Sequence, residues 1–179
     1  MEIQARAARI RLLLMDVDGV LTDGTFFQFP GADGKMVEVK QFDTQDGIAL
    51  LWLHACGIKS GLISGRVAQS TEERARSAHF SYVYMGHTDK IPMLEEIVKD
   101  SGLTLEEIGY VGDDITDVII MRRVGLAVAV ANARPEVKKF AHLVTAAPGG
   151  RGAVREVVEL LLKSQGKWRE ILLKYDAEK

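Results

Sequence analysis

The sequence predicts an α/β protein built on a doubly wound parallel sheet, and three observations point there. Short apolar runs alternate with helix-like segments along the whole chain. The connections between them are brief. Several runs end abruptly in aspartate, or in serine followed by glycine, as strands do where they deliver side chains to a ligand-binding edge.

Residues 10–17 form an apolar run ending in acids, a buried strand that brings Asp16 to the sheet edge. Residues 25–42 read as a β-hairpin insertion, two alternating segments around Asp33-Gly34. A helix over 46–56 stops at Gly57, a natural C-cap. Then follow strand 58–63, helix 67–78, strand 81–85, helix 90–101, strand 108–112 and helix 115–123. Strand 126–130, helix 135–140, strand 142–145 and helix 152–164 complete the pattern. The tail, 166–179, is apolar from Trp168 to Tyr175 and is expected to dock on its own or a neighbouring subunit.

The 179 residues suffice for one domain spanning 1–179, with 47% apolar and 27% charged residues. A net charge of −2 argues against a nucleic-acid partner. No apolar stretch is long enough for a bilayer and the first residues lack a signal-peptide core, so a cytoplasmic protein without a membrane partner is expected. The single cysteine, Cys56, reads as a small buried side chain.

Four segments carry candidate chemistry, each placed after a predicted strand. In Asp16-Val17-Asp18-Gly19 the alternation of an extended chain lets the two carboxylates approach one region while Val17 faces away. Such a pair is costly without a cation or a shared proton. Gly61-Leu62-Ile63-Ser64-Gly65-Arg66 ends a strand in a hydroxyl beside free backbone N–H groups, suited to an anion, although Ser64 alone also reads as an N-cap. Thr88-Asp89-Lys90 opens a helix with an ammonium near the edge. Gly112-Asp113-Asp114-Ile115-Thr116-Asp117 gathers three acids, hard oxygen donors appropriate to Mg²⁺.

The order of these segments (aspartate pair, hydroxyl, lysine, aspartate cluster) resembles the haloacid dehalogenase superfamily of phosphotransferases over nearly the whole chain. The resemblance implies a phosphomonoesterase in which Asp16 is the nucleophile and Asp18 the general acid and base. On that resemblance Ser64 and Lys90 would hold the phosphoryl oxygens. By the same resemblance Asp16, the Asp18 carbonyl and Asp113 would bind Mg²⁺, and Asp114 would orient Lys90 or a metal-bound water. Dehalogenases lack the second acid, so Asp18 favours phosphatase chemistry.

There is no room for a cap domain between Asp18 and Ser64 or between Ser64 and Lys90. The Asp-Gly hairpin, Thr44-Gln45-Asp46-Gly47, Gly65-Arg66 and the segment Gly149-Gly150-Arg151-Gly152 resemble the 3-deoxy-D-manno-octulosonate 8-phosphate phosphatase family. This implies a capless homotetramer whose neighbouring subunits close each site over a small phosphorylated sugar acid. Its substrate contacts map onto Asp18, Asp43, Thr44, Gln45, Asp46, Gly47, Arg66, Arg74, Lys90 and Arg151. Octulosonate-specific members tend to carry arginine where this chain has Gln45 and Leu51, which leaves a related nonulosonate 9-phosphate open as substrate.

Two rivals belong to other classes. A phospho-accepting receiver module also clusters acids, a hydroxyl and a lysine, but its lysine comes last, whereas Lys90 precedes Asp113. A sugar-phosphate-binding regulatory protein without efficient turnover is the second, and the presence of all the motif residues argues against it.

Overall fold

The structure, a computed structural model, describes residues 3–178. Six parallel strands form one sheet: β1 (Leu12–Met15), β4 (Lys59–Ser64), β5 (Tyr82–Met85), β6 (Ile108–Gly112), β7 (Leu126–Ala129) and β8 (Leu143–Val144). Their spatial order is β5-β4-β1-β6-β7-β8. The chain therefore builds outward from β1 on one side, returns across it, and builds outward on the other. That reversal is a topological switch point, and it lies at the carboxyl end of β1.

The apolar run Leu12-Leu13-Leu14-Met15 is explained by this central position. All four residues are buried, and β1 pairs with β4 on one side (Leu12↔Lys59) and β6 on the other (Leu12↔Ile108). A strand covered on both faces has no polar side, so it reads as a continuous run.

Two groups of helices flank the sheet. One contains α1 (Ile3–Ala7), α2 (Thr44–Ala55) and α7 (Ala153–Ser164); the other contains α4 (Ile91–Ser101), α5 (Ile115–Met121) and α6 (Pro135–Lys138). Helix α7 buries Val154, Val157, Val158, Leu161 and Leu162, the three-and-four spacing of one helical face. Asp43 caps α2 by accepting from the Gln45 and Asp46 N–H groups, so this helix starts two residues before the expected position. Helix α3 (Gln69–Ser77) follows β4.

The hairpin pairs β2 (Phe27–Pro30) with β3 (Met36–Val39) and turns at Gly34, whose φ is +76°. It leaves Phe27, Phe29 and Met36 at least half exposed. Among the described residues no separate cap domain accompanies it.

The tail forms α8 (Trp168–Lys174) and docks on its own subunit. Ile171 is buried, the Trp168 ring meets Trp52 edge-on at 5.7 Å, and Trp52 Nε1 donates to the Tyr175 hydroxyl at 3.2 Å. Helix α1 and the 3₁₀ turn Leu105–Glu107 were not expected from the sequence; both are too short to show a period. Cys56 is half-buried at the end of α2 rather than fully enclosed. Among the described residues no helix is long and apolar enough to cross a membrane.

Candidate active site

At the end of β1 the backbone N–H of Asp16 donates to the Val111 carbonyl at 3.0 Å, prolonging the pairing with β6. Asp16 is thereby fixed against the strand that leads to Asp113. The chain then turns at Gly19, whose φ of +92° suits glycine.

Asp16, Asp18, Ser64, Gly65, Arg66, Thr88, Lys90, Asp113, Asp114 and Thr116 line one cleft of about 280 Å³ at this edge. The four sequence-predicted segments thus meet at a single place. A larger open groove of about 970 Å³ lies along α5 and α6, lined by Ile115, Ile119 and Phe140, and holds no comparable group of acids.

Lys90, one residue before α4, is buried at the cleft floor. Its Nζ lies 3.1 Å from Asp16 Oδ1 and 2.7 Å from Asp117 Oδ1, and it donates to the Tyr110 hydroxyl at 3.0 Å. Tyr110 in turn donates to Asp117 Oδ1 at 2.7 Å. Burial opposes the lysine's charge, but Asp117 and Asp16 outweigh it and raise its pKa above the ordinary value. The ammonium is therefore a fixed positive charge beside Asp16.

Asp117 accepts through both oxygens. Its Oδ2 takes the N–H groups of Asp113 (2.9 Å) and Asp114 (3.2 Å), holding the loop that carries them. It is thus Asp117, rather than Asp114, that orients Lys90. Asp114 instead caps α5, accepting from Ile115 N at 2.7 Å.

One carboxylate oxygen from each of Asp16, Asp113 and Asp117 falls within 4.8 Å of the others. Burial, then Asp117, push Asp16 up to about 6, with Lys90 pulling the other way. Burial, then Asp117, Asp16 and Asp114, push Asp113 up to about 8. Asp113 Oδ1 is buried without a hydrogen-bond partner. A buried acceptor of this kind among crowded carboxylates fits a hard divalent cation. Because Asp117 has both oxygens committed, Asp16 and Asp113 have the freer donors.

Ser64 is the last residue of β4 and its Oγ accepts from Arg66 N at 3.2 Å. It does not cap α3, which begins five residues later without a side-chain cap. Arg66 spans the cleft mouth, stacking on Phe26 at 4.2 Å and pairing with Glu38 on the hairpin at 2.5 Å. Its Nε also lies 3.8 Å from Asp18 Oδ2. Lys40, just after β3, donates to both oxygens of Asp18 at 2.7 and 2.9 Å.

The remaining substrate contacts expected from the resemblance do not line the cleft of this chain. Asp43 caps α2, while Thr44 and Gln45 face solvent. Asp46 is fully buried and accepts from Gly152 N and Arg155 N at the start of α7. A Cβ on Gly47 would lie 2.7 Å from Arg74 Nη2, and Arg74 itself donates to the Asp43 carbonyl at 2.8 Å. Arg151 lies 3.7 Å from Asp23, largely exposed.

Sequence reasoning assigned no role to two further residues and placed a third only among the clustered acids. Lys40 and Tyr110 carry no local signal, because what distinguishes them is contact with residues distant in the chain. Asp117 was read as one of three acids suited to Mg²⁺, which did not indicate its bond to Lys90.

A family model of haloacid dehalogenase-like hydrolases matches residues 57–156, which puts the fold and its acidic cleft in that class. Over 169 residues the chain is 40% identical to the 3-deoxy-D-manno-octulosonate 8-phosphate phosphatase KdsC of Escherichia coli (strain B / BL21-DE3), covering 94% of this chain and 88% of that one. It superposes at a TM-score of 0.92 and 39% identity on a probable YrbI family phosphatase from Pseudomonas syringae, covering 99% of this chain and 98% of the other. A second crystal structure, 3-deoxy-D-manno-octulosonate 8-phosphate phosphatase from Moraxella catarrhalis in complex with magnesium ion, phosphate ion and KDO, matches with TM-score 0.90 and 34% identity over 97% of each chain. The chain belongs to the 3-deoxy-D-manno-octulosonate 8-phosphate phosphatase family, and it is a phosphatase.

Proposed function

We propose that the protein is a magnesium-dependent phosphomonoesterase that hydrolyses 3-deoxy-D-manno-octulosonate 8-phosphate through a phosphoryl-aspartate on Asp16. The observation that carries this reading is the convergence of Asp16, Ser64, Lys90 and Asp113 on one cleft, with the Lys90 ammonium 3.1 Å from the Asp16 carboxylate.

Asp16 supplies the attacking oxygen. Its bond to phosphorus forms as the ester P–O bond breaks, and Asp18, at the cleft mouth, gives its proton to the leaving oxygen. Water then attacks the phosphoryl-aspartate and returns a proton to Asp18, and the Asp16–phosphorus bond breaks to release inorganic phosphate. Lys90 and Ser64 hold the phosphoryl oxygens, offsetting the charge that would otherwise keep phosphate from a carboxylate. Asp16, Asp113 and the Asp18 carbonyl are the groups that would hold Mg²⁺, which supplies electrostatic stabilisation of the transferring group. Arg66, the exposed cation at the mouth, suits the sugar carboxylate.

The exposed apolar side chains of the hairpin support assembly through that element, with neighbouring subunits closing the open cleft. A tetramer is the form proposed.

The test is steady-state phosphate release with Mg²⁺ from the octulosonate 8-phosphate, set beside a nonulosonate 9-phosphate. A higher kcat/KM for the former is expected; a clear preference for the latter overturns the substrate assignment. Asp16→Asn abolishes turnover of both, and appreciable residual activity refutes the nucleophile.

A further inference from the structure

A lysine side chain with no solvent exposure is unusual, and Lys40 is one. It leaves the end of the hairpin and reaches Asp18, 22 positions earlier, donating at 2.7 Å to one carboxylate oxygen and 2.9 Å to the other. Glu38 Oε1 lies farther from its ammonium, at 3.5 Å. Arg66 completes a ring of two cations and two anions through Glu38 and Asp18. Asp18 is therefore the closest partner of Lys40, and the hairpin is joined to the cleft through it.

We propose that Lys40 is a positioning residue for Asp18, an inference that rests on the reading of Asp18 as general acid and base. An aspartate's terminal torsion is broad, so a carboxyl at a cleft mouth samples many orientations. One ammonium engaging both oxygens of the carboxylate fixes that torsion, and when one oxygen carries the proton the other still accepts from the same ammonium. Proton transfer needs donor and acceptor within about 2.6–3.2 Å, so a group held in one orientation delivers its proton more often than a rotating one. Burial keeps water from competing for the Lys40 ammonium. The proton-transfer group is thereby oriented by the hairpin rather than by the turn after β1 that carries it.

The experiment compares two leaving groups. An alkoxide leaves poorly and depends on protonation, whereas nitrophenolate leaves without that help. For Lys40→Met, the single-turnover rate of phosphoryl-aspartate formation, the step in which the leaving group departs, should fall by about 30-fold or more with octulosonate 8-phosphate and change less than about threefold with 4-nitrophenyl phosphate. Lys40→Arg should recover much of the lost rate. Equal losses on both substrates, or a change confined to KM, overturn the proposal. Should Lys40→Met not fold, the double variant Lys40→Met with Glu38→Gln, which also neutralises the farther carboxylate facing Lys40, is read in its place. Asp18→Asn is measured in parallel. If it shows no leaving-group difference, the reading of Asp18 as acid fails and Lys40's role fails with it. If it shows one and the Lys40 variants do not, the Lys40 proposal alone fails.

Discussion

Gly19 and Asp113 stand so close that a Cβ added to the glycine would lie 2.1 Å from Asp113 Oδ2. One loop is thus shaped around the carboxylate of another. Gly19→Ala adds this collision to a φ of +92° and should displace Asp113 from the acidic cluster. Magnesium titrations of activity should show apparent affinity lowered by about 10–100-fold, the range seen when a ligand's support is lost. An unchanged titration would mean that Asp113 does not bind the ion.

Tyr110 bridges Lys90 and Asp117 from a fully buried position. Tyr110→Phe removes the two hydrogen bonds while keeping the ring. At about 1 kcal/mol of net orientation free energy, kcat should fall about fivefold with KM little changed. Single-turnover rates distinguish this from slower product release.

Asp46 gives a pH signature separate from the cleft. Burial raises its pKa from 3.8 to about 6, with the N–H groups of Arg155 and Gly152 opposing the rise. The folded chain holds this proton more tightly than the unfolded one. The group's stabilising contribution is therefore fully present below about pH 4 and lost as pH rises through about 6. Chemical denaturation of Asp46→Asn at pH 4.5 and pH 7 should show a shallower decline than the parent.

Trp168 anchors the tail on Trp52, and Lys167 Nζ donates to the Cys56 carbonyl at 2.6 Å. Trp168→Ala leaves a half-buried gap costing about 2 kcal/mol, a fall in Tm of about 4–8 °C. Amide exchange in α8 should accelerate at the same time.

Phe27 and Phe29 project from the hairpin with 71% and 50% exposure. Replacing both with serine should dissociate the proposed tetramer, read by sedimentation velocity, without unfolding the sheet. A wild-type protein that sediments as a monomer removes the basis for this prediction.

Much of the fold was legible because burial on both faces writes itself into β1, β4 and β6 as apolar runs, and because Gly34 and Gly57 mark a turn and a helix end. Asp16, Ser64, Lys90 and Asp113 were legible as residues ending or following such strands. The segment from Asp43 to Gly47 was harder to assign. Its polar residues suggest a ligand, yet Asp43 and Asp46 are spent on helix caps, one of them belonging to α7 far along the chain. Lys40 reads as an ordinary surface lysine, since its burial depends on Asp18 and Glu38 folding over it.

The loop that follows Asp16 is also packed against late parts of the chain. A Cβ on Gly149 would fall 1.8 Å from the Gly19 carbonyl oxygen, Gly150 N donates to the Val20 carbonyl at 2.9 Å, and Asn132 Nδ2 reaches Gly19 O across 113 positions. During synthesis the loop that follows Asp16 therefore emerges long before the segment that seats it. Nascent chains that stop short of residue 150 carry every acid and the lysine of the cleft, but lack the backstop that sets their spacing. Competence for phosphoryl transfer should thus arrive late, with the C-terminal third of the polypeptide.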